Sequence, residues 1–385
     1  MIYFDNAATT MRKPPEVAVA VADALGSFGG AGRGVHEASI AAGRAVYDAR
    51  DRAARLLGAP SASRVAFAAN ATAALNVAIE GLLENGARAV TTAASHNSVL
   101  RPLFRARDER GCEVEVVPVD GSGALDFKAY GRALDRGARL VAATHASNVT
   151  GDVYDVARMA RAAREAGAAF VLDAAQTAGA LPVDQGGLGA DVLCFTGHKS
   201  LFGPQGTGGL CLAEGVDLPP LLEGGSGARS FDERHPRAMP EALEAGTPNA
   251  HGLAGLAAGL AYLERIGVAN ASAQVQMLVD RFEAGASGIP GVRAHGGRGG
   301  VARCGIVAVN VGDADSALVA DRLARDFGIC TRAGAHCAPL MHRALGTAEQ
   351  GAVRFSFSCF NTAGEIDAGL EALEAVARGF GFSNG

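Results

Sequence analysis

The sequence contains very little lysine. Only three of its 35 basic residues are lysines, namely Lys13, Lys128 and Lys199. Lys199 stands in "FTGHKSLFGPQGTGG" (195–209), between an apolar run and a glycine-rich segment. Arginine serves as well as lysine for a surface charge, but a guanidinium stays charged in proteins, whereas an amine can lose its proton and act as a nucleophile. The retention of a lysine here makes Lys199 a candidate nucleophile.

The chain also lacks runs of one charge, paired cysteines and long apolar segments. A net charge of −5 without a basic cluster argues against nucleic-acid and membrane partners, so we expect neither. Seven cysteines without a C-x-x-C pair argue against a disulfide framework and a structural zinc site, and no metal is expected. The start "MIYFDNAATT" has no basic and apolar leader, and apolar stretches such as 252–263 are too short to cross a bilayer. We therefore expect a cytoplasmic protein.

Short apolar runs alternate with stretches of helical length. Candidate strands lie at 64–69, 87–93, 113–119, 139–146, 168–175, 191–197 and 207–213, and candidate helices at 72–84, 97–109 and 153–167. Buried parallel strands read as continuous apolar runs, so this pattern predicts an α/β fold with a mostly parallel central sheet and helices on both faces. A helix from about 253 to 285, strands at 303–311 and 351–359, and a helix near 363–379 follow. We predict a large domain at 15–250 and a smaller α+β domain formed by 1–14 and 251–385.

Polar residues follow several of the predicted strands, and the carboxyl ends of such strands are where ligands bind. Asp173 and Lys199 each follow a strand, and by themselves they would be a buried ion pair. The segment "NATAALN" (70–76), with Ala71 and Thr72, opens a helix and suits a phosphate. Further candidates at these ends are the imidazoles of His96 and His198, the side-chain amides of Asn148 and Gln176, and the hydroxyl of Thr196.

This set matches the needs of pyridoxal 5′-phosphate (PLP). The aldehyde of PLP requires a lysine for its Schiff base, its ring nitrogen requires a carboxylate, and its phosphate requires N–H and hydroxyl donors. A nucleotide-binding α/β protein is the alternative from a different class, but "FGPQGTGG" lacks both the G-x-G-x-x-G placement and a G-K-[ST] ending.

The sequence resembles the class V aminotransferase family, and within it the Suf-type cysteine desulfurases with a short loop. Eight ordered blocks carry the resemblance over nearly the whole chain: "YFDNAATT" (3–10), "GRGVHEAS" (32–39), "HASNVTG" (145–151), "VLDAAQTAG" (171–179), "FTGHKSLFGPQGTGGL" (195–210), "GTPN" (246–249), "RAGAHCAP" (332–339) and "VRFSFSCFNT" (353–362). The resemblance implies the PLP-dependent fold type I and a homodimer.

The resemblance also implies roles for individual residues. Lys199 would hold the cofactor and move a proton, Asp173 would pair with the ring nitrogen, and His96 would stack on the ring. Gln176 and Asn148 would face the phenolic oxygen. The phosphate would be held by Ala71, Thr72, Thr196 and His198, and by Thr247 reaching in from a partner subunit. Arg354 would clamp the substrate carboxylate through two hydrogen bonds, helped by Asn148 and Arg332.

Cys337 would select the reaction. In cysteine desulfurases a loop thiolate attacks the sulfur of bound cysteine, which leaves alanine and an enzyme persulfide. A reactive thiol requires exposure and nearby positive charge, and the sequence places Arg332 and His336 close by. Without the surrounding block "RAGAHCAP", Cys337 would be interpreted as another small buried residue. The short loop further predicts a dedicated sulfur-acceptor protein.

Other activities remain open at this stage. A selenocysteine lyase, another C–S lyase or an epimerase of the same family would use the same PLP chemistry. A scaffold without catalysis is disfavoured because the lysine, aspartate and arginine are all in place.

Overall fold

The computed structural model describes residues 1–32, 34–227, 229–297 and 301–382. Arg33, in the "GRGVHEAS" block, lies outside the described residues. The strands are β1 (Ile2–Tyr3), β2 (Val65–Ala68), β3 (Arg88–Thr92), β4 (Glu113–Val117), β5 (Leu140–Thr144), β6 (Ala169–Asp173), β7 (Val192–Thr196), β8 (Gly208–Leu212), β9 (Val292–His295), β10 (Ile306–Val311), β11 (Ile329–Cys330), β12 (Arg332–Gly334) and β13 (Ala352–Ser356).

The helices complete the element order. They are α1 (Pro15–Ser27), α2 (Glu37–Leu57), α3 (Ala71–Leu82), α4 (Asn97–Arg110), α5 (Phe127–Asp135), α6 (Val156–Glu165), α7 (Gln185–Leu188), α8 (Ala250–Ile266), α9 (Val268–Ala286), α10 (Ser316–Phe327), α11 (Pro339–Leu345) and α12 (Ala363–Gly379).

The central sheet has seven strands in the order β2-β8-β7-β6-β5-β3-β4. Strands β3 to β7 pair in parallel, and β8 is antiparallel to both β7 and β2. Every residue of β5, β7 and β8 is buried, as expected for strands covered on both faces. The predicted α/β fold with a mostly parallel sheet is confirmed.

The register of this sheet aligns the strand ends that the sequence singled out. Asp173, the last residue of β6, lies opposite Thr144 of β5 and Cys194 of β7. Thr196 ends β7 opposite Gly208. The segments that follow β5, β6 and β7 therefore leave the sheet at the same edge.

The smaller sheet is antiparallel, in the order β12-β13-β10-β9. Its core is rich in phenylalanine, with the Phe282 and Phe355 rings 4.6 Å apart. The chain start joins this region, because β1 pairs in parallel with β11 and Asp5 forms a bridge with Ser356.

The single long helix expected from 253 to 285 is wrong. Two helices, α8 and α9, meet there at an angle of 82°, and Gly267 lies between them with φ +80°, a conformation that favours glycine. Four leucines of α8 (Leu253, Leu256, Leu260 and Leu263) belong to the core of the large sheet, although the predicted domain boundary at 250/251 assigned this helix to the small domain. Among the described residues no single helix is long and apolar enough to span a membrane, and α8 with α9 meets that test only as a bent pair.

Candidate active site

A pocket lies where β5, β6 and β7 end and α3 and α4 begin. The predicted cofactor residues on its wall are Ala71, Thr72, His96, Asn148, Asp173, Gln176, Thr196, His198 and Lys199, and the wall also includes Asn70, Ser98, Thr144 and Ala175. The structure thus brings together, in one concave site, residues that the sequence spreads over more than a hundred positions.

Lys199 is the amine of this pocket. Burial lowers its pKa from 10.5 to about 8; Asp173 opposes this shift, while the positive charges of Arg354 and Arg332 add to it. A pKa near 8 gives a substantial fraction of neutral amine at physiological pH, which a nucleophilic lysine requires. The backbone of Lys199 is fixed by Thr10, whose hydroxyl donates to the Lys199 carbonyl at 2.9 Å.

Asp173 is the buried carboxylate of the pocket. One of its oxygens accepts the backbone N–H of Ala175 at 3.0 Å. Burial raises its pKa, and both this hydrogen bond and the charge of Lys199 act in the opposite direction. A carboxylate in this position suits a ligand that brings a positively charged N–H of its own.

The phosphate end of the site is formed by the start of α3 and the end of β7. Asn70 caps α3 by accepting the N–H of Ala73 at 3.0 Å, and the Thr72 and Ser98 hydroxyls lie 2.8 Å apart. Thr196 Oγ1 and His198 Nδ1 are buried and have no hydrogen-bond partner among the described residues. Buried polar atoms almost always have partners, so two such atoms beside a helix N-terminus fit an anionic group such as the phosphate of PLP.

His96 presents a neutral ring. Its Nδ1 accepts the N–H of Ser98 at 3.0 Å at the start of α4. Burial, together with the charges of Lys199 and Arg354, lowers its pKa to about 4. An uncharged, half-buried imidazole at the pocket wall has the character required to stack on an aromatic ligand.

Arg354 is almost fully buried, with 2% of its surface exposed. Its Nη1 donates to the carbonyl of Asn148 at 3.1 Å and its Nη2 to Asp5 at 2.9 Å, while its Nε has no partner among the described residues. The sequence interpretation missed Asp5, although the block "YFDNAATT" contains it. A buried arginine requires a carboxylate partner, but no local pattern in the sequence shows which carboxylate that is.

Four predicted residues do not line the lysine pocket, namely Arg354, Cys337, Arg332 and Thr247. Arg332 is exposed and pairs in register with Arg354 across β12 and β13, close enough for its charge to lower the pKa of Lys199. Thr247 is exposed and lines surface clefts with Pro248. Within one chain the structure does not bring Thr247 to the pocket.

Cys337 lies on a short, anchored loop. Its thiol is exposed, and its carbonyl accepts the N–H of Asn97 at 2.7 Å, next to His96. The side-chain amide of Asn148 donates to the carbonyl of His336 at 2.6 Å. His336 and Cys337 have φ values of +50° and +55°, which residues other than glycine rarely adopt. The loop is therefore strained and held beside the pocket.

The prediction that His336 supplies positive charge to Cys337 is wrong. Burial, and then the charge of Arg354, lowers the pKa of His336 to about 3. A buried imidazole loses the hydration that stabilises its charged form, so His336 is neutral. The cationic side chains whose charges act on His336 include Arg354 and Arg332.

These features define a class of protein. A mostly parallel sheet that presents a lysine, a carboxylate, a neutral stacking ring and a phosphate cradle at its carboxyl edge is the architecture of a PLP-dependent enzyme of fold type I. The chain belongs to the class V aminotransferase family, whose model matches residues 2–368.

Relatives and solved structures agree with this family. The chain is 34% identical to a probable cysteine desulfurase of Methanothermobacter thermautotrophicus, over 98% of this chain and 94% of the relative. It is similar to the cysteine desulfurase structure from Thermococcus onnurineus, with a TM-score of 0.92, 35% identity and coverage of 98% and 95% of the two chains. An Escherichia coli cysteine desulfurase, solved as its S-sulfonic acid, matches with a TM-score of 0.86, 28% identity and coverage of 98% and 94%.

These similarities confirm the family, the use of PLP and the assignment as a cysteine desulfurase that the sequence predicted. The roles of single residues depend on the geometry described above.

Proposed function

We propose that this protein converts L-cysteine to L-alanine and that Cys337 receives the sulfur as a persulfide. The observation that carries the proposal is the position of an exposed thiol on a loop whose backbone is bonded to Asn97 and Asn148. Both anchor residues are adjacent to or part of the pocket wall that contains Lys199. The thiol of Cys337 and the amine of Lys199 therefore act on the same bound substrate.

The residues of the pocket have different roles in the first half-reaction. Bound PLP would supply an aldehyde for the substrate amine and a ring that stabilises negative charge at the substrate Cα. Asp173 would keep the ring nitrogen protonated, and His96 would cover the ring. Lys199, neutral above a pH of about 8, takes the proton from Cα.

Sulfur transfer requires Cys337 as thiolate. Its sulfur attacks Sγ of the substrate; the S–S bond forms while the Cβ–Sγ bond breaks. The electron pair of the broken bond stays on Cβ, which takes up a proton from solvent. Lys199 then returns its proton to Cα, and the amino acid leaves as alanine. Arg354 holds the substrate carboxylate.

A comparison of Cys337→Ser with Cys359→Ser tests this role. Cys359 is another free cysteine, which is half-buried and does not line the lysine pocket. We expect Cys337→Ser to bind PLP normally but to lose protein-bound sulfur and at least about 100-fold in alanine release, as nucleophile removal does in other enzymes. Cys359→Ser should resemble the unaltered protein.

Full activity of Cys337→Ser on cysteine, without an acceptor, would contradict the proposal. Equal alanine release from selenocysteine and cysteine in that variant would favour a lyase that does not use the thiol. Both measurements use the PLP-loaded protein.

We further propose that the protein works as a homodimer in the cytoplasm. Thr247 lies on a surface with Leu221 and Leu222, and Leu222 is 71% exposed. Large exposed apolar side chains around a predicted active-site residue favour a two-fold interface that carries Thr247 into the neighbouring site. All seven cysteines are free, which favours a reducing compartment.

A dedicated acceptor protein is the last part of the proposal. The loop of Cys337 is short and its backbone is anchored, which supports its assignment to the Suf-type branch. A persulfide on such a loop stays near the pocket, so the acceptor must bring its own sulfur-receiving group to Cys337.

A further inference from the structure

A chain of hydrogen bonds lies behind the loop of Cys337. Thr347 Oγ1 is 2.8 Å from His342 Nδ1, His342 Nε2 is 3.3 Å from His336 Nδ1, and His336 Nε2 is 3.1 Å from the carbonyl oxygen of Arg332. The three side chains are buried, with exposures of 1% for His342, 2% for Thr347 and 4% for His336. None of them lines the lysine pocket.

The direction of this chain follows from its ends. A carbonyl oxygen only accepts, so the proton of His336 is on Nε2 and its Nδ1 is an acceptor. His342 must then donate from Nε2, and its Nδ1 accepts the hydroxyl of Thr347. Burial lowers the pKa of both imidazoles, which keeps each ring neutral with one donor and one acceptor. Every ring nitrogen of the two histidines has one partner.

The chain fixes the ring of a residue with strained backbone. His336 and Cys337 both have left-handed φ values, and such conformations persist only where the surroundings hold them. The main chain is held by Asn148 and Asn97. Among the described residues, the ring of His336 forms its hydrogen bonds with Arg332 and His342. The His342 imidazole lies nearly parallel to it, with a centroid distance of 5.5 Å and an interplanar angle of 17°.

We propose that His342 is a positioning residue for sulfur transfer, which acts through His336 to hold the backbone turn that presents Cys337. The inference rests on the proposed role of Cys337 as sulfur acceptor. A nucleophile displaced by about 1 Å loses much of its rate. The side chains that bind cysteine and PLP lie outside this hydrogen-bond chain, which meets Arg332 at its backbone carbonyl.

Two substitutions of similar size test the proposal in the PLP-loaded protein. His342→Leu removes the donor to His336, while His342→Gln keeps an N–H that can donate to it. For the leucine variant we expect kcat to fall about 10- to 100-fold, with KM within about twofold and an unchanged visible absorbance of the bound cofactor. The glutamine variant should recover most of the lost kcat.

Hydrogen exchange gives a readout that does not depend on the reaction. In His342→Leu, the amides of 332–339 should exchange faster than in the unaltered protein, with those of α12 unchanged as reference. His342→Gln should restore slow exchange. If Cys337 is not the sulfur acceptor, His342→Leu should still differ from the unaltered protein in hydrogen exchange but not in kcat. The experiment therefore distinguishes a failure of the proposed role of Cys337 from a failure of the proposed role of His342.

Three results would overturn the inference. The first is unchanged exchange at 332–339 in the leucine variant. The second is equal loss of kcat in the leucine and glutamine variants. The third is a loss that also raises KM and changes cofactor absorbance, which would mean that His342 only supports the fold.

Discussion

Burial decides the charges of the residues around Lys199. It lowers the pKa of Lys199 to about 8 and that of His198 to about 4, because each group loses water that would stabilise its charged form. His96 and His336 shift in the same direction. At neutral pH the imidazoles are uncharged, and the charges that remain near the lysine belong to Asp173 and two arginines.

Arg332→Gln is expected to change the pH dependence of cofactor capture. The charge of Arg332 lowers the pKa of Lys199, so its removal should raise that pKa and move the rise in neutral amine to higher pH. We would measure the rate at which cofactor-free protein binds PLP between about pH 7 and 10. Arg343→Gln is the control, since Arg343 does not contribute to this shift. A midpoint that stays or moves down would contradict the expectation.

The pair of Arg354 and Asp5 gives a prediction for stability. Asp5→Asn leaves a buried guanidinium without its carboxylate, and we expect the free energy of unfolding to fall by roughly 1–3 kcal/mol. Asp367→Asn removes a carboxylate from the exposed Arg281 and should change it by less than about 1 kcal/mol. Denaturant unfolding of both variants checks this. Equal losses in the free energy of unfolding would mean that the buried pair stabilises the protein no more than the exposed pair does.

At the scale of elements, the site forms where strands end and helices begin. β6 and β7 deliver Asp173 and Thr196, and the first turn of α3 delivers backbone N–H groups that Asn70 leaves partly free. Close packing under that turn depends on Gly208 of β8. A Cβ there would lie 2.8 Å from both Asn70 Cα and the Phe195 carbonyl oxygen.

Gly208→Ala should therefore weaken PLP binding. Backbone atoms at this distance have to move, and the atoms that move belong to the phosphate end of the pocket. We expect a clear rise in the Kd for PLP, measured by absorbance titration of cofactor-free protein. Gly43→Ala is the control, because no atom lies within 4 Å of its added Cβ and alanine favours a helix by about 1 kcal/mol. Unchanged affinity in Gly208→Ala would contradict the role of this packing.

At the scale of the whole molecule, the first thirteen residues connect the lysine to the smaller sheet. Thr10 donates to the carbonyl of Lys199, Asp5 holds Arg354, and β1 pairs with β11. The amine and the proposed substrate clamp are on different sheets, so this segment sets the distance between them.

The proposed dimer gives a prediction at the same scale. Leu222→Glu places a charge on the surface shared with Thr247 and should shift the protein toward monomer in sedimentation velocity, with a parallel loss of PLP affinity. Leu318→Glu is the control, because Leu318 is 58% exposed on α10 and should leave the dimer intact. A Leu222→Glu protein that stays dimeric would place the interface elsewhere.

The sequence alone determined the central sheet and most of the pocket. Its buried strands are local apolar runs, and the polar residues that follow them meet because parallel strands end at one edge. The exception among the predicted elements was the helix from about 253 to 285, where local periodicity continues through Gly267 although the chain turns by 82°.

Only the tertiary structure decided how the site residues are paired and charged. The contact of Asp5 with Arg354 joins positions at opposite ends of the chain, and no local pattern encodes it. The neutral state of His336 depends on burial by segments far away in sequence, since a pKa follows the surroundings of a group and not its neighbours along the chain. For the same reason the hydrogen-bond chain behind Cys337 became visible only once the fold had brought Thr347, His342 and His336 together.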